Sequence, residues 1–511
     1  MSGAVPDTIG VIGAGTMGAG IAQLAAQAGA VTLLYDAVPA GLERGVERIE
    51  DGLSRLVSRG KLSDAEATAI RARVKPTETL AQFGPCGLVV EAAPERLEVK
   101  LQLFGELAGV VAADCVLATN TSSLSITEIA AGVPNPERVV GLHFFNPAPV
   151  MRLVEVVAGE ESSPEALATA RAVGEAMGKR VIDAADVAGF LVNRCNRPFS
   201  LEALRLLEER VATTEQIDRI ARLGGGFRMG PFELMDLIGI ETNHAVAESL
   251  YRASYGEPRY QPSALQARMV AAGKLGRKTG RGWYEYGEPG APATPRTPDP
   301  EPPSGGVGEG RLLVVTGELP VARELAGAAV EAGFEVVAEP AAGAEPWLTV
   351  GCDATPANGP RARLLHDGSL HALDPVAAGF HLLAPLAATK LIEVTSTPLT
   401  DPTASERLAQ LGAALGFHVE PVADAPGLVL GRIVCQLINE ASFLIGAGNG
   451  TPEDVDAGLE LGVNHPRGPV AWCEALSPAH VVAVLDALYR ERGEARYRVA
   501  PRLRARAYLG R

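Results

Sequence analysis

Thr8-Ile9-Gly10-Val11-Ile12-Gly13-Ala14-Gly15-Thr16-Met17-Gly18 reads as a short apolar strand entering a glycine-rich turn and opening a helix that runs through Ala28. Gly13, Gly15 and Gly18 form a GxGxxG. Alone such a pattern is weak in a chain with 57 glycines. Here a strand precedes it, a helix follows it, and Asp36 closes the next apolar run, Val31-Thr32-Leu33-Leu34-Tyr35. That context points to a dinucleotide site: the glycines allow a tight turn and close approach of the backbone to a pyrophosphate at the helix N-terminus. Asp36 would accept from ribose hydroxyls and repel a 2′-phosphate, which favours NAD over NADP.

Working outward, a polar, arginine-rich helical stretch is expected over Leu42–Arg73, then a strand at Leu88-Val89-Val90-Glu91. A helix near Lys100–Ala108 and a strand at Val116-Leu117-Ala118 follow. Strands alternating with helices make a parallel, doubly wound sheet. From Ala188 to about Leu250 the periodicity turns helical. A Pro/Gly-rich stretch over 289–310 reads as an extended linker, and Arg311-Leu312-Leu313-Val314-Val315 restarts an α/β pattern. The expected organisation is a nucleotide-binding domain over 1–185, a helical domain over 186–288, the linker, a Rossmann-like domain over 311–420 and a second helical domain over 421–511.

That order is a duplication. Gly141-Leu142-His143-Phe144-Phe145-Asn146-Pro147-Ala148-Pro149 leads into Leu153-Val154-Glu155-Val156-Val157, apolar runs flanking an Asn/Pro bend. If these runs pair as a hairpin, His143 and Glu155 lie opposite each other, close enough for an imidazole to donate to a carboxylate. This is a general base with its orienting acid. Gly379-Phe380-His381 and Leu391-Ile392-Glu393-Val394 repeat the spacing. Thr214-Glu215-Gln216-Ile217-Asp218 is echoed by Thr451 to Asp456, and Asp186-Val187-Ala188-Gly189-Phe190 by Asp424-Ala425-Pro426-Gly427-Leu428. Matches in one order mean two related halves.

The second half has lost chemistry. Its first strand enters Thr316-Gly317-Glu318-Leu319-Pro320, with no glycine fingerprint and an acid where a pyrophosphate would lie. Gly368 stands at the position of Ser122, Gly431 at that of Asn193, and Ala384-Pro385 replaces Asn146-Pro147. His381 and Glu393 are expected to be inherited packing residues in a degenerate copy.

At 47% hydrophobic and 21% charged the composition is that of a globular protein, and its net charge of −15 argues against a nucleic-acid partner. The six cysteines are scattered, without metal-ligand spacing, and are expected to be buried thiols in a reducing compartment. No leader pattern or long apolar run appears, so a soluble, cytoplasmic protein is expected. The arginine-rich C-terminal tail is expected to present solvated helix faces and a frayed end.

Residues 8–286 resemble the 3-hydroxyacyl-CoA dehydrogenases. The resemblance rests on the glycine fingerprint, Glu91-Ala92-Ala93-Pro94-Glu95 through Lys100, Asn120-Thr121-Ser122-Ser123-Leu124, the HFFNPAP segment and Gly189-Phe190-Leu191-Val192-Asn193-Arg194. It implies an NAD-dependent oxidation of (S)-3-hydroxyacyl-CoA to 3-oxoacyl-CoA. It further implies His143 as catalytic base, Glu155 as its partner, and Ser122 and Asn193 as substrate-positioning hydrogen-bonders. Gly13, Gly15, Thr16, Met17, Gly18, Asp36, Glu95, Lys100, Asn120 and Asn146 would line the cofactor site. Arg59, in a helical arm carrying Arg44, Arg48, Arg55 and Lys61, would meet the anionic coenzyme A. No metal is expected. The two-copy plan also looks like bacterial enzymes acting on 3-hydroxybutyryl-CoA or 3-hydroxyadipyl-CoA. The residues leave open another Rossmann-type hydroxyacid dehydrogenase, or a non-catalytic CoA- or NAD-binding scaffold. Pairing of the helical domains within the chain is expected from the tether, and the oligomeric state is left open.

Overall fold

The computed structural model describes residues 3–288, 299–353 and 359–510. The first sheet has eight strands: β1 (Thr8–Ile12), β2 (Val31–Tyr35), β3 (Val74–Thr77), β4 (Leu88–Glu91), β5 (Val116–Thr119), β6 (Val139–Phe144), β7 (Leu153–Ala158) and β8 (Arg180–Ala185). Their spatial order is β3-β2-β1-β4-β5-β6-β7-β8, with only β6 and β7 antiparallel. The strand order reverses beside β1, and such a switch point opens a ligand crevice at the carboxyl ends of the strands. Strands β4, β5 and β6 are buried along their whole length, because helices cover both faces of a parallel sheet.

The second sheet has seven strands: β9 (Leu312–Thr316), β10 (Glu335–Val337), β11 (Leu348–Gly351), β12 (Arg361–Leu364), β13 (Ala378–His381), β14 (Leu391–Thr395) and β15 (His418–Pro421). Its order, β10-β9-β11-β12-β13-β14-β15, repeats the first sheet without a counterpart of β3. The first copy builds the missing piece from helices Pro39–Ser58 and Asp64–Arg73, which lead into β3. In the second copy β10 and β11 are joined through residues 338–347 with no helix. The expected single helical stretch over Leu42–Arg73 is therefore two helices, broken at Arg59–Ser63. Ser63 accepts from the Glu66 N–H, and Glu66 accepts back from the Ser63 N–H, a reciprocal cap that starts the second helix.

The described chain divides into two compact units, 1–194 with 449–463 and 195–448 with 464–511. This division cuts across the order of segments expected along the sequence, because helical pieces are exchanged between the copies. In the first unit, helix Pro452–Gly462 of the second copy packs on β7 and β8, and Asp454 pairs with Arg180 at 3.3 Å. In the second unit, the π-helical turn Ile220–Gly224 of the first copy packs on β14, where the Lys390 N–H donates to the Leu223 carbonyl at 2.8 Å. Arg219 and Gln216 there bind Glu420 at 2.8 and 3.1 Å.

Two long helices, Val192–Glu208 and Leu430–Gly446, carry the same device in both copies. Glu202 accepts from Arg432 Nε at 2.8 Å and from the Tyr497 hydroxyl at 3.0 Å. Its counterpart Glu440 accepts from Arg259 Nε at 2.6 Å and from the Tyr260 hydroxyl. Each glutamate thus takes its tyrosine from the other copy. Buried ion pairs of this kind add little net stability, but removing one partner strands a charge, which fixes how the helices register.

One expectation is revised in part here. The basic tail does present solvated positions, Arg490 and Arg502 being exposed, but it is tied into the fold: Arg496 is buried and bonded to Glu494 and Gln261, Arg498 binds Glu257, and helix Pro501–Leu509 continues the fold with Leu503 buried. Residues 289–298 of the linker lie outside the described residues. Its remainder is held down, with Asp299 bidentate on Arg222 and the Gly306 and Gly308 N–H groups donating to the Ala414 and Ala332 carbonyls. All six cysteines are buried and none is in a disulfide among the described residues; burial pushes four of the thiols up to about 11 or 12.

Candidate functional site

The crest of the first sheet gathers the expected residues in two groups. At the open end of β1, Gly13 adopts φ +91°, and a Cβ there would sit 2.5 Å from the Ala92 carbonyl oxygen. A Cβ at Gly18 would lie 1.7 Å from the Gly13 oxygen, so the turn closes only because both are glycine. Gly15 differs: beyond its chain neighbours, no described residue comes within 4 Å of the Cβ it lacks. Helix Thr16–Gln27 begins there with no side-chain cap and no acid in its first turn, so its first N–H groups are left for an external acceptor. Thr16 and Met17 stand at its exposed and half-exposed start. Asp36, at the end of β2, accepts from the Ala14 N–H at 2.8 Å and the Val38 N–H at 2.9 Å. An anion cradle beside a fixed carboxylate fits a dinucleotide whose ribose is not phosphorylated.

A second group continues along β4 and β5. Lys100 is buried and donates to both oxygens of Glu91 at 2.7 and 2.9 Å, with Glu95 3.3 Å away. Glu95 accepts from the Thr121 hydroxyl at 2.6 Å and from the Ser122 and Ser123 N–H groups at 2.9 and 3.1 Å. Burial pushes Glu95 up, but Lys100 and these donors outweigh it and hold its carboxyl below the ordinary range. The Asn120 side-chain Oδ1 accepts from the Phe144 N–H at 2.8 Å, tying this loop to β6. Asn146 is exposed. Arg59 is exposed just past the end of helix Pro39–Ser58.

The third element is the strand pair. His143 on β6 and Glu155 on β7 are registered partners, and His143 Nδ1 lies 2.6 Å from Glu155 Oε2. Glu155 is fully buried, and its other oxygen accepts from the Leu191 and Val192 N–H groups at 3.1 and 2.9 Å. Those N–H groups open helix Val192–Glu208. Gly189 and Phe190, at φ +74° and +49°, turn the chain into it. The carboxylate so placed takes Nδ1–H, which leaves the Nε2 lone pair as the acceptor. Nε2 makes no hydrogen bond among the described residues. Phe145 and Phe190 flank the ring at centroid distances of 4.7 and 5.8 Å. Asn193 is half-buried at the first turn of the same helix, and Ser122 is half-buried above β5.

Comparison with known proteins identifies the family. The family model described as the 3-hydroxyacyl-CoA dehydrogenase NAD binding domain matches residues 8–187, and that of the family's C-terminal domain matches 189–286 and again 427–511. The chain belongs to the 3-hydroxyacyl-CoA dehydrogenase family. It is 37% identical over 502 residues to the 3-hydroxyadipyl-CoA dehydrogenase of Escherichia coli K12, covering 98% of each chain. It is 43% identical over 277 residues to a probable 3-hydroxybutyryl-CoA dehydrogenase of Deinococcus radiodurans, covering 54% of this chain and 99% of that one. The crystal structure of 3-hydroxybutyryl-CoA dehydrogenase from E. coli K12 superimposes with a TM-score of 0.83 at 34% identity, covering 99% of both chains. The protein is thus an NAD-dependent dehydrogenase acting on 3-hydroxyacyl-CoA.

Two groups of this dehydrogenase's site escaped the sequence reading. Glu91 is the hub of the second group: besides Lys100 it accepts from the Thr119 hydroxyl at 2.7 Å and the Ala93 N–H at 2.6 Å. The signal was an acid ending a fully apolar strand, nine residues before a lysine. Asp186 braces the loop below Ser122, accepting from Ser125 Oγ at 2.7 Å, the Ile126 N–H at 3.0 Å and the Thr127 N–H at 2.8 Å. Its counterpart Asp424 does the same for the Leu370 and His371 N–H groups. Among the described residues no cluster suited to a metal occurs, and no single helix is long and apolar enough to cross a membrane.

Proposed function

We propose that His143 removes the 3-hydroxyl proton of a (S)-3-hydroxyacyl-CoA and that Glu155 stabilises the imidazolium so formed. The observation that carries this reading is the 2.6 Å contact between His143 Nδ1 and a carboxylate anchored on two helix-opening N–H groups. That anchoring fixes the tautomer and holds the acceptor nitrogen on the open side of the ring. NAD, when bound, supplies the acceptor for the hydride that leaves the same carbon. Gly13, Gly15, Gly18 and the N–H groups of Thr16 and Met17 would hold its pyrophosphate, Asp36 its ribose, and Glu95, Lys100, Asn120 and Asn146 the crevice beyond. Ser122 and Asn193 would hold the 3-oxygen and the thioester carbonyl as neutral hydrogen-bonders, and Arg59 would meet the coenzyme A phosphates.

The substrate we assign is a short 3-hydroxyacyl-CoA, 3-hydroxybutyryl-CoA or 3-hydroxyadipyl-CoA. Full-length similarity to a relative named for the latter favours it. We read the second Rossmann-like and helical segments as serving structure, the helical segments pairing within one chain as two subunits otherwise would, and we place the enzyme in the cytoplasm. NADH absorbance with a panel of C4, C6 and adipyl 3-hydroxyacyl-CoA esters tests the assignment. No NADH formation with any of them would overturn it.

A further inference from the structure

Lys179 is a buried cation with no carboxylate partner among the described residues. It stands between helix Pro164–Ala176, which the chain leaves through Gly178 at φ +74°, and the start of β8. Its Nζ donates to the Ala148 and Met151 carbonyl oxygens, both at 2.7 Å. Burial lowers its ammonium to about 8. Taking a charge out of water to meet two carbonyls is costly, and the charge-assisted hydrogen bonds offset only part of the cost.

The two carbonyls belong to the turn that joins β6 to β7, and so joins His143 to Glu155. Exposed Asn146 opens this turn. Ala148 and Pro149 rest on helix Thr16–Gln27, where a Cβ at Gly20 would come within 2.8 Å of Pro149 Cδ. The Met151 N–H donates to the Pro147 carbonyl at 3.0 Å, four residues back, which leaves the Ala148 carbonyl to Lys179.

The second copy closes the same strand pair without a lysine. By the register of the strands, Leu386 and Thr389 stand where Ala148 and Met151 do, and buried Phe417 stands where Lys179 does. There the Thr389 N–H donates to the Leu386 carbonyl at 2.9 Å, three residues back. The tighter turn satisfies that carbonyl by itself. The lysine is thus missing from the copy that has lost the glycine fingerprint, Ser122 and Asn193, and the hairpin alone does not call for it.

We propose that Lys179 is a positioning residue: by bonding both carbonyls it holds the wider turn, and with it the place of Asn146 at the cofactor crevice. The proposal rests on the reading of Asn146 given above.

The test is a double-mutant cycle on the full-length enzyme, reading kcat and KM for NAD at neutral pH, with circular dichroism to confirm folding. Asn146→Ala should lower kcat/KM for NAD. Lys179→Met, which keeps the length of the side chain and loses its charge, should lower it by on the order of 10–10²-fold, since a misplacement of about 1 Å has that effect. KM for the acyl-CoA ester should stay near that of wild type. In the double variant the two losses should not multiply, because residues that act as one unit are non-additive. Multiplying losses, or wild-type kinetics in a folded Lys179→Met beside an impaired Asn146→Ala, would overturn the positioning role and leave the reading of the site standing. Wild-type kinetics in Asn146→Ala would sink that reading and this proposal with it. Should Lys179→Met not fold, Lys179→Gln, which keeps a donor, runs the same cycle. If neither folds, the lysine serves the fold and the proposal is wrong.

Discussion

The two copies of the His/Glu strand pair keep the carboxylate in one place and treat the imidazole differently. Glu393 is registered against His381 as Glu155 is against His143, and it accepts from the Val429 and Leu430 N–H groups at 2.8 and 3.1 Å. Those donors are the counterparts of Leu191 and Val192. His381, however, has no hydrogen-bond partner on either ring nitrogen among the described residues. Its ring turns toward Gly431, whose missing Cβ would lie 2.4 Å from His381 Cε1, and it packs 5.6 Å from the His480 ring, which stacks on His366 at 5.2 Å. The imidazole therefore lies against the position where the first copy carries Asn193. A carboxylate that closes a helix N-terminus is part of the scaffold and survives duplication. An imidazole kept for an external substrate loses its geometry once that pocket is filled.

The largest effect should separate the copies by rate. His143→Ala is expected to lower kcat by about 10²–10⁴-fold, the usual worth of a positioned general base. His381→Ala should leave kcat within about twofold of wild type. Steady-state turnover of both variants checks this, with circular dichroism to confirm folding. A collapse of kcat in a folded His381→Ala protein would mean that the second strand pair takes part in turnover.

The cofactor cradles should differ next. In the second copy the helix after β9 starts with Pro320, which has no N–H to offer, and β12 carries Arg363. That arginine is buried, bonded to Asp367 at 2.8 Å and placed against the Asp353 carbonyl oxygen at 3.3 Å. Calorimetric titration should therefore give one NADH per 511-residue chain. Asp36→Ala should narrow the preference for NAD over NADP by roughly 10–100-fold, because it removes a like charge held near the 2′ position. A second NADH per chain, or an unchanged cofactor ratio, would break this half of the comparison.

Much of this was legible in the sequence because it depends on local pattern. The glycine turn, the alternation of strands and helices, and the equal His/Glu spacing in both halves are read within short windows. The strand pair was inferred from twelve residues and found in the register that puts His143 against Glu155. The exchange of helical pieces was not legible. Nothing in Pro452–Gly462 says that its Gly458 will face Leu191 and Val192, the residues that hold Glu155. The arginine-rich tail misled because charge alone does not tell a solvated face from one whose partners, such as Gln261 and Glu257 for Arg496 and Arg498, lie over 200 residues away. Glu91 was passed over because its partner Thr119 comes from a neighbouring strand.

A smaller effect sharpens the claim that His381 fills its own pocket. Gly431→Asn restores the first copy's side chain but drives it into the His381 ring, with Nε2 and Nδ1 at 2.6 and 3.0 Å from the new Cβ. Overpacking of this kind costs about 1–3 kcal/mol, visible as a lower Tm. Adding His381→Ala should restore most of the loss. If Gly431→Asn alone leaves Tm unchanged, the ring is not held where the packing places it.

The last prediction concerns pH, where buried histidines and one buried glutamate bias stability in opposite directions. Burial pushes His381 down to about 3 from an ordinary 6.5, with His366 adding repulsion. His480 is depressed by burial and by both other rings, and His366 by burial against the opposing pull of Asp367. The folded state binds these protons less readily than the unfolded chain does. Their contribution is therefore complete above pH 6.5 and is lost as pH falls below it, by about 1.4 kcal/mol per pH unit for each ring that stays neutral. Glu393 has the opposite bias: burial pushes it up to about 8 from 4.5, Glu420 adds to the rise, and the Val429 and Leu430 N–H groups oppose it. A raised carboxyl keeps its proton in the folded state while the unfolded chain releases it, so stability declines as pH rises from 4.5 to 8. Between 4.5 and 6.5 the histidines outnumber the one glutamate and stability climbs with pH; between 6.5 and 8 only the glutamate term remains and stability falls. Urea midpoints across pH 4.5–8 should peak near 6.5. Glu393→Gln should flatten the upper limb and His381→Leu should shallow the lower one.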